Sequence, residues 1–170
     1  ERLWHFRRDK NIKSFLNISR GLARLIVPSK TLIKLPRERG YLYAQDFIPN
    51  NNFDIRIIII GNRAFAIKRI VRAGDFRASG SGEIVYDMNQ IPIECIKISF
   101  EITNRLMAQC VAFDYVLLDE IPKIVEISYG FNRLVYLDCP GYWSNSLEWK
   151  PGKFTPENFM VEDILKQIKN

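Results

Sequence analysis

Residues 111–130, VAFDYVLLDEIPKIVEISYG, decide the fold. Two short runs of β-branched and aromatic residues flank an acidic turn, the pattern of a β-hairpin. A carboxylate interrupts each arm, Asp114 in the first and Glu126 in the second. Burying a lone carboxylate is costly, so an acid inside an apolar strand needs a cause. A turn through Asp119-Glu120-Ile121 predicts Leu118 opposite Pro122. Counting back then sets Asp114 opposite Glu126, with Ser128 on the face of Glu126. Val111, Phe113, Tyr115 and Leu117 point the other way, towards a core. A slip of one residue would send the two acids to opposite faces. Facing carboxylates repel unless one is protonated, an arginine intervenes or a divalent cation binds between them. Oxygen-only ligation by Asp, Glu and a hydroxyl favours Mg²⁺ or Mn²⁺ over zinc. A carboxylate pair on a solvent-facing sheet explains the hairpin equally well at this point.

Upstream, residues 54–70, DIRIIIIGNRAFAIKRI, carry a second hairpin around Gly61-Asn62. This turn pairs Ile60 with Arg63, Arg56 with Ile67 and Asp54 with Arg69. Asp54, Arg56 and Arg69 then share one face, and Lys68 points to the other. Such a face is either an ion-pair cluster or a polyphosphate clamp, because arginine matches phosphate bidentately. The following segment favours the clamp. Arg72, Arg77 and the loop ASGSG, residues 78–82, add positive charge and unhindered backbone N–H groups. The loop lacks the Gly-Lys-Ser/Thr ending of a P-loop, which argues against Walker-type chemistry.

Around these hairpins the periodicity predicts a helix over residues 12–26, a strand over Tyr41–Ile48 and a turn at Pro49–Asn52. It also predicts a helix over 91–109, with Ile91, Cys95, Ile98, Ile102 and Leu106 as its apolar face. Thr155-Pro156 opens a final helix with Met160, Val161, Ile164, Leu165 and Ile168 on one face. Residues 129–154, rich in aromatics, Gly and Pro, resist assignment. The order of elements predicts an α+β fold, a largely antiparallel sheet flanked by helices.

The chain has 170 residues, of which 47% are apolar and 26% charged, enough for one domain with a sizeable core. No apolar run approaches a bilayer span and no signal peptide opens the chain, so no membrane role is expected. An odd count of three cysteines, Cys95, Cys110 and Cys139, suits a reducing cytoplasm. The single histidine, His5, argues against a Ser-His-Asp triad and a histidine zinc site. The net charge of +6 favours an anionic partner.

With these segments in order, the chain resembles the ATP-grasp superfamily, closest to the carboxylate–amine ligases that include ribosomal-protein glutamate ligases and glutathione synthetases. The resemblance runs from about Tyr41 to Ser128. YAQDFIP is similar to the hinge strand, FDIRIIIIGNRAFAIKR to the D-I-R strand and its return, and GDFRASGSG to the G-x-F-R-S-N loop. AFDYVLL and IVEIS are similar to the two metal-binding strands. The resemblance implies a C-terminal ATP-grasp subdomain over 41–170, with 1–40 a linker or remnant of the preceding subdomain. It implies that the chain is a piece of a longer protein, because phosphate-binding lysines and a glycine-rich lid belong to that preceding subdomain.

It further implies that Asp46 and Phe47 lie at the adenine hinge and Asp54 near the nucleotide. Arg77, Ala78 and Ser79 reach phosphate or substrate, with Arg56 and Arg69 beside them as catalytic arginines. Asp114, Glu126 and Ser128 hold Mg²⁺ or Mn²⁺. ATP would phosphorylate an unidentified carboxylate, and an amine or similar nucleophile would displace the phosphate. Ser128 stands where the family usually has Asn, and its hydroxyl reaches less far. That substitution and the short N-terminal part keep a second expectation open, a degenerate ATP-grasp protein without catalysis, and predict that this piece alone turns over nothing. A third expectation, a basic module for single-stranded nucleic acid, fits the charge but not the acidic pair, which repels phosphate without a metal.

Overall fold

The computed structural model describes Leu16, Ser19, Leu22, Ala23, Gly40, residues 42–72, Ala78, Gly80 and residues 82–169. The chain forms two compact units, Glu1–Gln45 and Asp46–Asn170. In the first, Leu16, Ser19, Leu22 and Ala23 are helical, within the predicted helix over 12–26, the rest of which lies outside the described residues. The strand expected over Tyr41–Ile48 does not form among residues 42–48. A strand needs a neighbour for its ladder, and these residues join none; Leu42 and Tyr43 are 91% and 75% exposed.

In the second unit, seven strands among the described residues make one antiparallel sheet. They are β1 (Phe53–Ile60), β2 (Arg63–Ile70), β3 (Ile84–Val85), β4 (Cys110–Leu118), β5 (Ile121–Ser128), β6 (Gly141–Ser144) and β7 (Trp149–Pro151). Their spatial order is β5-β4-β1-β2-β6-β7, with β3 also on β2. Helix α1 (Ile93–Leu106) follows β3, and α2 (Pro156–Lys169) ends the chain.

The isoleucine run of β1 reflects burial on both faces. Ile55, Ile57 and Ile59 join Phe113, Tyr115 and the α1 residues Cys95, Ile96 and Phe100 in one core. Ile58 and Ile60 join Phe65, Ile67, Ala112 and Tyr136 in a second core on the opposite face. Each β1 isoleucine from Ile57 to Ile60 is fully buried, worth roughly 1.5–3 kcal/mol apiece relative to exposure.

Helix α1 buries Cys95, Ile96, Ser99, Phe100 and Thr103; of the predicted face, Ile91 and Cys95 are buried and Ile98 and Ile102 pack against the core, while Leu106 is 54% exposed. The buried hydroxyls are satisfied inside the helix. Thr103 Oγ1 donates to the Ser99 carbonyl at 2.6 Å, and Ser99 Oγ to the Cys95 carbonyl at 2.7 Å. Helix α2 begins at Pro156 as expected, but of its predicted apolar stripe only Met160 packs against the core, while Val161, Ile164, Leu165 and Ile168 are exposed. Its packed side is set by Phe159 and Met160 and by Arg63, whose Nη1 donates to both Asp163 oxygens at 2.9–3.1 Å and whose guanidinium lies 4.2 Å over the Phe159 ring. The aromatic segment after β5 becomes a short 3-10 turn, Arg133–Tyr136, followed by β6 and β7. Most of its rings serve packing: Tyr142 meets Phe154 edge-on at 4.8 Å and Trp143 meets Trp149 at 4.5 Å. Among the described residues no helix is long and apolar enough to cross a membrane.

Candidate functional site

The face of the second core turns polar towards the start of β1. Successive residues of a strand alternate faces, so Arg56 and Asp54 follow Ile58 on the same side. The ladder aligns Arg56 with Ile67 of β2 and with Asp114 of β4, and Asp54 with Arg69 of β2. Glu126 of β5 lies opposite Asp114. One rung therefore reads Glu126, Asp114, Arg56, and the next adds Asp54 and Arg69.

The acids and arginines hold one another. Arg56 Nη1 donates to both oxygens of Asp114 at 2.9 Å, and its Nη2 donates to the Gly130 carbonyl at 3.2 Å. Arg69 grips Asp54 with Nε and Nη2, each at 2.6 Å, and Nη2 also donates to Asp114 Oδ2 at 2.8 Å. These are charge-assisted lengths. The side chains of Arg56 and Asp114 are 15% and 7% exposed, those of Arg69 and Asp54 11% and 14%. Two positive and two negative groups cancel, so the described cluster is neutral and offers no free basic surface. Burial raises the Asp54 carboxyl above its ordinary value, opposed by Arg69. Burial works against the charge on Arg69, but the hydrogen bond to Asp54 and the charges of Asp114 and Asp54 outweigh it and hold the guanidinium higher than usual.

The acidic pair reaches its register by another route than the one expected. The turn has two residues, not three: Asp119 and Glu120 both have positive φ, 50° and 64°, and Leu118 pairs with Ile121 rather than Pro122. Left alone, that register would put Val125 opposite Asp114. A β-bulge between the Tyr115–Ile124 and Asp114–Glu126 pairs absorbs the extra residue and returns Glu126 to the polar face. Glu126 is exposed and has no ion-pair partner among the described residues. Ser128 Oγ donates to the Gly130 carbonyl at 3.0 Å and accepts from the Gly130 N–H at 3.3 Å. No group of three or more His, Cys, Asp or Glu side chains able to hold a metal occurs among the described residues. The acids form a pair only.

A cavity of about 520 Å³ opens beside the arginines. Arg56 and Arg69 line it together with Ala78, Gly80, Gly82 and Tyr136. Gly80 and Gly82 have φ of +70° and +82°, backbone that glycine adopts without strain. Arg77 and Ser79, expected beside them, lie outside the described residues. Asp46 and Phe47 are exposed and do not border the cavity, so the structure does not gather them with the arginines. The pairing of Arg56 with Asp114 escaped the sequence because β1 and β4 are not consecutive strands. Tyr136 escaped it because its segment has no periodicity; no sequence signal pointed to either.

Comparison with known families matches the chain to an ATP-grasp model. The model described as RimK-like ATP-grasp domain aligns with residues 19–130, which contain β1 to β5 and all the arginines and acids of the cluster. No curated protein matches the chain.

Proposed function

The chain belongs to the RimK-like ATP-grasp family, and from that premise we propose that it carries the metal and phosphate end of an ATP-dependent ligase. The ligase activates a carboxylate as an acyl phosphate and joins it to an amine or similar nucleophile. One observation carries this reading: Asp114 and Glu126 face each other on adjacent strands, beside two arginines that border an open cavity.

The donor set fits Mg²⁺ or Mn²⁺. Two carboxylates on one rung, with the Ser128 hydroxyl two residues on, supply hard oxygens; these ions take their remaining positions from water and phosphate. Bound there, the ion would neutralise charge on a transferred phosphoryl group. Arg56 and Arg69, with Arg77, clamp phosphate oxygens. In this reading the loop at Ala78 and Ser79 would contribute to phosphate binding, Asp54 would orient Arg69, and Asp46 with Phe47 would meet the adenine.

Cation seat and clamp are coupled. Both Asp114 oxygens now accept from guanidiniums. If phosphate drew Arg56 and Arg69 away, Asp114 would be left free to ligate a cation beside Glu126, and an Asp114 so engaged would no longer hold the arginines. Linkage then requires each ligand to tighten the other, by about 5–150-fold for a coupling of 1–3 kcal/mol. Calorimetric titration of the chain with ADP, with and without Mn²⁺, reads this directly. Mn²⁺ is expected to tighten ADP, and Glu126→Gln to remove the enhancement. Equal ADP affinity in wild type and Glu126→Gln with Mn²⁺ present would take Glu126 out of the metal site.

The saturation of Asp114 by two guanidiniums also favours a second reading, an ATP-grasp protein that binds a partner or nucleotide without catalysis. Mn²⁺ without effect on ADP binding would select it.

A further inference from the structure

We infer that Tyr136 is a ligand-binding residue, its phenolic hydroxyl donating a hydrogen bond to an oxyanion, phosphoryl or carboxylate, seated against Arg56 and Arg69. The inference rests on the proposed anion clamp and adds a residue to it.

Two phenols are buried in this unit and they are treated differently. Tyr115 is fully buried, and its hydroxyl meets Ser99 Oγ at 2.7 Å. The single Ser99 hydrogen is given to the Cys95 carbonyl, so Tyr115 is the donor and is satisfied. Tyr136 is 1% exposed, and its hydroxyl has no hydrogen-bond partner among the described residues. Buried hydroxyls are nearly always paired, and an unpaired one needs an explanation. If packing were the only role of this ring, phenylalanine would serve without the penalty.

The ring is fixed where it is. Asn132 caps the 3-10 turn by accepting from the Leu134 N–H at 3.2 Å. Tyr86 donates to the Val135 carbonyl at 2.8 Å, and Phe131 stands edge-on to the Tyr136 ring at 5.6 Å. The hydroxyl cannot easily turn elsewhere for a partner.

Its surroundings name the partner's chemistry. Tyr136 borders the cavity with Arg56 and Arg69, and among the described lining residues there is no carboxylate. Burial holds the phenol above its ordinary value, opposed by the charges of Arg56 and Arg69 and aided by the Asp114 carboxylate, so it stays protonated at neutral pH and is a donor. At rest Asp54 and Asp114 neutralise both guanidiniums; once an anion draws the arginines from these acids, as in the proposed clamp, a phenol donor beside them completes the hydrogen bonds to an anionic oxygen.

The test compares the full chain with Tyr136→Phe, by thermal melting and calorimetry, using inorganic phosphate and succinate as probes at ionic strength matched with chloride. The substitution is expected to leave a cooperative melt, with the ligand-free Tm unchanged or a few degrees higher, since an unsatisfied hydroxyl is removed. The dissociation constant should weaken by about tenfold or more, the loss that follows removal of a hydrogen bond to a charged group. Weakening for phosphate alone places the hydroxyl on a phosphoryl group, and weakening for succinate alone places it on a carboxylate; either supports the inference. Unchanged constants in a wild type that binds overturn Tyr136 but leave the clamp. A wild type that binds neither anion overturns the clamp and Tyr136 together. A variant that no longer melts cooperatively gives the hydroxyl a structural role and also overturns the inference.

Discussion

Asp114 and Glu126 are neighbours on one rung and yet opposite in character. Asp114 is 5% exposed and accepts three hydrogen bonds from two guanidiniums. Removing its charge strands Arg56 and Arg69 in a partly dry cluster, and breaking a buried pair from one side costs about 3–5 kcal/mol. Asp114→Asn should therefore lower the unfolding free energy by roughly that amount in urea titration. Glu126 is exposed and adds a negative charge beside Asp114, so Glu126→Gln should move stability by no more than about 0.5 kcal/mol. The contrast is the point of the measurement. Equal and large losses would mean that Glu126 also belongs to the ion-pair cluster; equal and negligible losses would mean that the Arg–Asp contacts contribute nothing net.

At the scale of elements, the hairpin β4–β5 shows what local pattern can and cannot specify. In β1–β2 the two-residue Gly61-Asn62 turn fixes every pair, and the observed partners Asp54–Arg69 and Arg56–Ile67 follow by counting. In β4–β5 the count used one residue too many in the turn and none for a bulge. The two errors cancel in parity, so the facing acids were legible although the path to them was not. The bulge carries no residue signature here, since Val125 looks like any strand residue. Contacts between distant strands were invisible for a different reason: Arg56 and Asp114 are 58 positions apart, and no period or turn links them. Helix α2 failed in its orientation because Arg63, with Asp163 and Phe159, sets which side packs, and amphipathicity alone does not see such an ion pair. The tight turn also makes a prediction. Asp119 and Glu120 both hold left-handed backbone, where glutamate is strained by about 1–2 kcal/mol. A two-residue turn with positive φ at both positions prefers Asn-Gly. Glu120→Gly should raise the Tm, with a gain near 1 kcal/mol after the greater backbone entropy that glycine gives the unfolded chain is set against relief of strain. A lower Tm would show that the Glu120 side chain makes a contact worth more than the strain.

For the whole molecule, the protons that folding traps set its response to alkali. Burial pushes the Cys95 and Cys139 thiols up to about 12 and the Cys110 thiol to about 11, from an ordinary value of 9.0. Burial also raises the phenols of Tyr115 and Tyr136. In each case the folded state holds its proton more tightly than the unfolded chain. The stability these groups contribute is full below the unfolded thiol value and drains away as pH rises through the folded values. The Tm should thus stay level from about pH 7 to 8.5 and fall steeply between about pH 9 and 11. Net charge works in the other direction at first. The chain carries +6 at pH 7 with an isoelectric point near 9.3, so self-repulsion shrinks up to that pH, which would stabilise the fold, and grows again with negative sign above it. Repeating the titration in high salt screens the charge effect and leaves the trapped protons. A decline that persists in salt identifies the buried thiols and phenols; a Tm flat to pH 11 in salt would mean that these groups ionise in the folded protein as they do in the open chain. Thiol labelling at about pH 8 gives the same distinction kinetically. The protonated, buried sulfurs of Cys95 and Cys139 react only through opening of the fold, so their modification should be slow in buffer and rapid in urea.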